Sequence, residues 1–252
     1  MSDITANTQA PGSWRYYRDI HEGETCLIIG NGPSLRDVPL DFLKKYPTFG
    51  TNRIYLMDGF TPTYYCSVNP LVISQFAEDI AKINAPKFLP ASYCFDDTCL
   101  PLNSSGVVVF SQDASQWIYE GHTVTFVCMQ IAYYMGFDTV LLVGVDHSFR
   151  YHGAPNQEMV LDGADPNHFH PDYFKGKHWN NPDLVRSEHA YKLARATYEE
   201  HGRRIINLTP NTKEQVLEHG SMNDWQKGHG NHKRVLRGGL YSRTAGEPCR
   251  SD

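Results

Sequence analysis

The chain is short of the features that would place it in several large protein classes. No window of its 252 residues approaches the roughly 18 apolar residues of a membrane span, and its beginning lacks the apolar core of a secretion signal. Its six cysteines, at positions 26, 66, 94, 99, 128 and 249, include no C-x-x-C pair, which removes the common zinc and dithiol motifs. Cys26, Cys66 and Cys128 lie in apolar runs, where a free thiol behaves as a small buried hydrophobe. A reducing, cytoplasmic setting is the expectation. Basic charge is also scarce. The formal net charge is −5, with acidic and basic residues interspersed, so no basic face and no nucleic-acid partner is expected.

What is present begins with apolar content. Forty per cent of the residues are hydrophobic, enough to fill the core of one α/β domain. Strand signals recur at 25–30, 48–52, 64–68, 87–89, 106–110, 139–145 and 204–207. Helical signals lie between them at 39–45, 71–83, 123–135 and 183–201. Such alternation predicts βα units in a Rossmann-like, mainly parallel sheet flanked by helices. Residues 1–24 read as an N-terminal arm, 25–218 as the nucleotide-binding catalytic domain, and 219–252 as a flexible, mildly basic tail. Between 149 and 181 periodicity disappears, and Gly, Pro, His, Asp, Tyr and Phe dominate. A loop of that length inside a domain is usually functional, and its aromatics argue against disorder, so it reads as a lid.

Residues 25–35, Thr-Cys-Leu-Ile-Ile-Gly-Asn-Gly-Pro-Ser-Leu, carry the strongest functional signal. An apolar strand runs straight into Gly30, Asn31, Gly32, Pro33 and Ser34, and helical character follows. The glycines allow a close backbone approach to a ligand, and N–H groups at a strand-to-helix junction favour an anion. The corner departs from both G-x-G-x-x-G and G-x-x-x-x-G-K-[ST], so neither dinucleotide binding nor P-loop chemistry is indicated. Asn31, Asn52, Asn69 and Asp146 each stand just past a strand end. In a parallel sheet that is where ligands bind, so these groups are expected to share one cleft.

Five segments then combine in order. Ile28-Ile-Gly-Asn-Gly-Pro-Ser-Leu35, Thr51-Asn-Arg-Ile-Tyr55 and Ser67-Val-Asn-Pro70 precede Thr123-Val-Thr125, and Val143-Gly-Val-Asp146 follows. Together they resemble the bacterial sialyltransferase fold of the Campylobacter-type enzymes. They also resemble the wider DUF115 group, which includes flagellin-associated Maf proteins and archaeal MptE pterin pyrophosphokinases. The DUF115 likeness is the closer, through Gly144-Val-Asp-His-Ser148 and Asp165-Pro-Asn-His-Phe-His-Pro-Asp-Tyr173.

The resemblance implies a glycosyltransferase that moves a sugar, such as a nonulosonic acid, from a CMP-activated donor to a glycan or protein acceptor. Gly30, Asn31, Gly32, Pro33, Ser34, Asn52, Arg53, Asn69, Thr123 and Thr125 would then hold the nucleotide. Asp146 would organise the reacting centre. His178 matches the general base that these sialyltransferases carry in the lid, and a near-neutral imidazole suits that task. Their phosphate-binding tyrosines have no direct counterpart. Ser148, Arg150, Tyr151, His152, His168, His170 and Tyr173 are the candidates to replace them. Asp162, Asp165, His168, His170 and Asp172 are metal-binding residue types, but His168 and His170 would face opposite ways in an extended chain, and no metal site is assigned. A CMP leaving group needs no obligatory cofactor. The MptE-like alternative is pyrophosphate transfer from ATP with Mg²⁺, and a non-catalytic nucleotide- or glycan-binding module is the third. A homo-oligomer is expected, and peripheral membrane association is allowed.

Overall fold

The structure, a computed structural model, describes residues 12–94 and 96–229. Within the chain, residues 1–221 form one compact unit and residues 222–252 another. In the first unit an eight-stranded sheet has the order β10-β9-β6-β1-β2-β3-β4-β5. Its strands are β1 (Thr25–Ile29), β2 (Thr48–Thr51), β3 (Tyr64–Cys66), β4 (Lys87–Pro90), β5 (Cys99–Leu102), β6 (Thr139–Val143), β9 (Arg204–Asn207) and β10 (Glu218–His219). Every pairing is parallel. β7 (Glu158–Val160) and β8 (His178–Asn180) form a separate antiparallel pair. The helices are α1 (Trp14–Tyr17), α2 (Leu40–Leu43), α3 (Pro70–Gln75), α4 (Ala77–Ala81), α5 (Val124–Tyr134) and α6 (Leu184–Glu200), with α7 (Met222–His229) in the second unit. The α/β, Rossmann-like expectation holds.

Strand order dictates where a ligand can enter. β2 to β5 lie to one side of β1 and β6, β9 and β10 to the other, so the connections diverge at the carboxyl ends of β1 and β6. Both strands are apolar throughout because both faces are covered. Cys26 and Ile28 join the core around α5, while Leu27 and Ile29 are equally buried on the opposite face. All residues of α5 from Thr125 to Tyr134 are buried, as expected for a helix apolar around its whole circumference. The Tyr198 hydroxyl, reaching from α6, donates to the Met129 carbonyl at 2.8 Å.

Several sequence boundaries shift. Val107, Val108 and Val109, read as a strand, are exposed loop, and the edge position beside β4 goes to Cys99–Leu102 instead. The helix expected over 71–83 breaks at Phe76, whose φ is −128° and whose ring packs under the Arg53 guanidinium at 3.8 Å. Residues 13–24, assigned to an arm, pack on the sheet through Trp14 and Tyr17. Residues 1–11 and the part of the tail beyond 229 lie outside the described residues. Cys94 and Cys99, expected to be reduced, are joined as a disulfide. The turn between β4 and β5 brings their Cα atoms to 5.4 Å, within bridging range. No helix among the described residues is long and apolar enough to cross a membrane.

Candidate active site

The strand-end corner is tighter than its sequence suggests. Gly30 and Gly144 end β1 and β6 against each other, and a Cβ on Gly30 would stand 2.4 Å from the Gly144 carbonyl oxygen. Gly32 donates its N–H to that same oxygen at 2.9 Å. The expected helix behind the corner is only a 3-10 turn, Pro33–Asp37. Its free N–H groups do not await an anion, because the Asp146 carboxylate already accepts from Ser34 N at 3.1 Å and from Ser34 Oγ at 2.7 Å. A phosphate there would meet a carboxylate. The corner therefore fixes Asp146, and its anion-binding role is corrected.

Two connected chambers open over this corner. The smaller, about 140 Å³, is lined by Gly30, Asn31, Gly32, Thr125, Asp146, Ser148 and others. The larger, about 710 Å³, takes in Asn69, Ser104, Tyr119, Glu120, Asn156, Asn180, Asn181 and Asp183. Asn52, His122, Thr123 and Val124 line both, so the chambers are two ends of one crevice. Asn31, Asn52 and Asn69 thus meet along it, as their strand-end positions imply. Six non-glycine residues have positive φ among those described, and Asn52, His122, His147 and Asn156 of these line the crevice. Such strain, on the order of 1–3 kcal/mol per residue, concentrates at working sites.

The amides are oriented by what they touch. Asn31 Nδ2 donates to the Thr51 carbonyl at 3.1 Å and to Thr51 Oγ1 at 2.8 Å. Because the carbonyl can only accept, this assigns the nitrogen, and leaves Asn31 Oδ1 buried with no donor. In the larger chamber Asn181 is equally incomplete: Nδ2 donates to the carbonyls of His152 and Ala154, and Oδ1 is unpaired. A buried acceptor without a donor is destabilising by about 1–3 kcal/mol, so each marks a place for a ligand hydroxyl or amine. Asn52 Oδ1 accepts from Ser67 Oγ, and Asn69 caps α3 while reaching Asn180 at 3.3 Å.

The positive pole of the crevice is the amino end of α5, an eleven-residue helix capped by the Thr123 side chain. Its first-turn N–H groups and dipole favour a single anion. Tyr191 stands beside it. Burial pushes this phenol up to about 12 against the opposing hydrogen bonds from Thr123 and Thr125, so it remains a neutral hydroxyl.

Residues 168 and 169 of the segment read as a lid are tied to the corner. Phe169 N donates to the Asn31 carbonyl at 2.9 Å, and Arg36 holds the Phe169 and His168 carbonyls at 2.8 and 2.9 Å. Arg53, assigned to nucleotide, instead braces this lid: its N–H meets Tyr173 Oη and its guanidinium the Asp172 carbonyl. Tyr173 is fully buried beneath His168, where burial raises its phenol, and it does not line the crevice. Arg150 and His152 contribute backbone contacts to Asn167 and Asn181, and His170 Nδ1 accepts from Asp172 N. None of Arg150, Tyr151, His152 or His170 lines either chamber, whereas Ser148 and His168 do.

His178 lies on β8, outside the lining of the crevice. Its Nδ1 pairs with Glu158 Oε1 at 2.7 Å, both side chains being 54% exposed, and it lines neither chamber. Two residues along β8, on the same strand face, Asn180 does. Sequence reasoning missed His122, His147 and Tyr191. For the two histidines a local signal existed, since each adjoins a strand end or a helix cap. Among the described residues no three His, Cys, Asp or Glu side chains gather as a metal-binding group.

Known proteins share parts of this chain's sequence or fold. A family model described as 6-hydroxymethylpterin diphosphokinase MptE-like matches residues 2–152. The chain belongs to the MptE-like family. A Maf glycosyltransferase from Magnetospirillum magneticum AMB-1 is structurally similar, with TM-score 0.50 and 13% identity over 84% of this chain. The chain spans only 38% of that protein. The sialyltransferase CstII of Campylobacter jejuni, solved with cytidine-5'-monophosphate, gives TM-score 0.49 at 16% identity over 80% of this chain and 86% of its own. No curated protein matches.

Proposed function

We propose that this MptE-like chain is a glycosyltransferase that moves a sugar from a CMP-activated donor to a glycan or protein acceptor. The observation that carries the reading is the chemistry of the crevice. Its lining combines amides, hydroxyls and one helix amino end with the imidazoles of His122, His147 and His168 and the carboxylates of Glu120, Asp146 and Asp183, and no Lys or Arg stands among its described lining residues. A CMP-sugar carries one phosphodiester charge, which a single helix amino end can offset. A triphosphate carries several, and normally meets a basic side chain and metal ions. Neutral amides such as Asn31 Oδ1 suit ribose or cytosine donors without repelling the phosphate. The motif resemblance points to the same donor.

In this reading Asn31, Asn52, Asn69, Thr123 and Thr125 hold the nucleotide, Asp146 fixes the corner, and the rest of the larger chamber admits the acceptor. His178, two residues before the lining residue Asn180 on β8, takes the proton from the acceptor hydroxyl as its oxygen attacks the anomeric carbon. The lid excludes water.

The family match favours a second reading, diphosphate transfer from ATP to a hydroxymethylpterin. Thermal-shift measurements with CMP, CDP, UMP, GDP and ATP, each with and without Mg²⁺, separate the two. A native-state ligand at a hundred times its Kd stabilises by about 2.7 kcal/mol. CMP raising Tm in EDTA supports the transferase; a response restricted to ATP with Mg²⁺ overturns it.

A further inference from the structure

One group in the smaller chamber has the geometry of an oriented proton donor. His168 is held from two sides. Its Nδ1 meets the Asp165 carboxylate at 2.8 Å, and Asp165 is itself buried, its side chain 1% exposed. The imidazole lies flat on Tyr173, ring centres 4.1 Å apart and 4° from parallel. A second backbone clasp, Arg36 Nη2 on the His168 carbonyl, fixes the main chain. With Nδ1–H directed at Asp165, Nε2 is the nitrogen left for a ligand, and His168 lines the chamber that contains Asn31 Oδ1 and the amino end of α5. Carboxylate–imidazole pairs of this kind set the tautomer and stabilise the imidazolium.

We propose that the Asp165–His168 pair is the hydrogen-bond donor to the phosphate of the bound nucleotide, and that its protonation makes nucleotide binding pH-dependent. This rests on the transferase reading above. When the acceptor oxygen forms its bond to the anomeric carbon, the bond from that carbon to the phosphate oxygen breaks. The electron pair stays on that oxygen, where the imidazolium Nε2–H meets it. The acceptor proton leaves separately to the base. His168 touches the phosphate; Asp165 is a positioning residue. Of the other charged and titratable groups, Asp146 and His147 share the chamber lining with it, His147 pairing with Glu188 at 3.2 Å, while Arg36 holds its carbonyl and Tyr173 lies flat against its ring.

The test is CMP affinity by calorimetry between pH 5.5 and 8, in EDTA, for the wild-type chain, H168Q and D165N. CMP titrates near pH 6 through its own phosphate, and H168Q measures that background. The wild type is expected to bind CMP about ten-fold more tightly at pH 5.5 than at pH 8 beyond this background, the scale of one hydrogen bond to a charged group. D165N should bind like the wild type at pH 8 and lose the acid-side gain. A purely structural role would weaken binding equally at every pH, and that result overturns the proposal. So does an acid-side gain as large in H168Q as in the wild type, which would show that His168 does not supply it. Binding of CMP without any His168-dependent pH effect overturns this inference alone. No CMP binding at either pH overturns the donor reading and this one together.

Discussion

Replacing Gly32 by alanine tests how the strand-end corner is built. A Cβ there would fall 1.9 Å from Asp146 Oδ2, 2.6 Å from Asp146 Cγ and 2.9 Å from the Gly144 carbonyl oxygen. The carboxylate cannot swing aside freely, because Ser34 N and Oγ hold it at 3.1 and 2.7 Å. Relief therefore means breaking hydrogen bonds to a charged group, about 1.5–3 kcal/mol each, or moving backbone, typically 1–3 kcal/mol for an overpacked site. We expect G32A to lower unfolding free energy by roughly 2–4 kcal/mol, read from the urea midpoint at unchanged m-value. The effect must couple to Asp146. In a D146A background only the 2.9 Å contact to backbone remains, so G32A should be less destabilising there by about 1 kcal/mol or more. Gly106→Ala is the control, since nothing lies within 4 Å of the place its methyl group would take, and its effect should stay within about 0.5 kcal/mol. Wild-type stability for G32A, or strict additivity with D146A, would refute the account of the corner.

Other consequences can be checked separately. Arg36→Ala removes both guanidinium contacts to the lid carbonyls; amide exchange should accelerate over residues 165–173 while the protection of β1 and β6 is unchanged. Asn31→Asp places an oxygen against the Thr51 carbonyl and adds charge beside Asp146, so CMP affinity should fall by at least about ten-fold, measured by calorimetry. Burial lowers the His21 imidazole below its ordinary value despite the Glu24 hydrogen bond. The unfolded chain then binds a proton that the folded chain releases. Stability should be fully present above about pH 6.5 and decline as pH falls below it, and His21→Gln should flatten that slope in urea titrations.

β1, β2, β3, β4, β6 and β9 were legible because they are short, mostly buried apolar runs, and β9 was read at the residues it occupies, whereas β5 and the exposed β10 were not read. Val107–Val109 misled the reading because β-branched residues favour extended backbone whether or not a partner strand is available. The β7–β8 pair escaped it, since Glu158–Val160 and His178–Asn180 lack apolar alternation and are joined only through tertiary context. In the crevice, strand-end asparagines could be placed from sequence, as the parallel topology directs them to one side. Roles were harder. Arg53 and Tyr173 carry ligand-binding chemistry, yet each is committed to the lid by partners more than a hundred residues away in sequence. Asp165 was one of several metal-binding residue types in the lid, and its 2.8 Å contact with His168 emerges only in the folded chain.

The central claim is that amides from separate strand ends grip one metal-independent nucleotide. The most direct measurement is NMR of the side-chain amides in ¹⁵N-asparagine-labelled protein, titrated with CMP in EDTA. The account predicts saturable shifts at Asn31, Asn52 and Asn69 with a common Kd. Shifts absent from all three, or produced only by ATP with Mg²⁺, would contradict it.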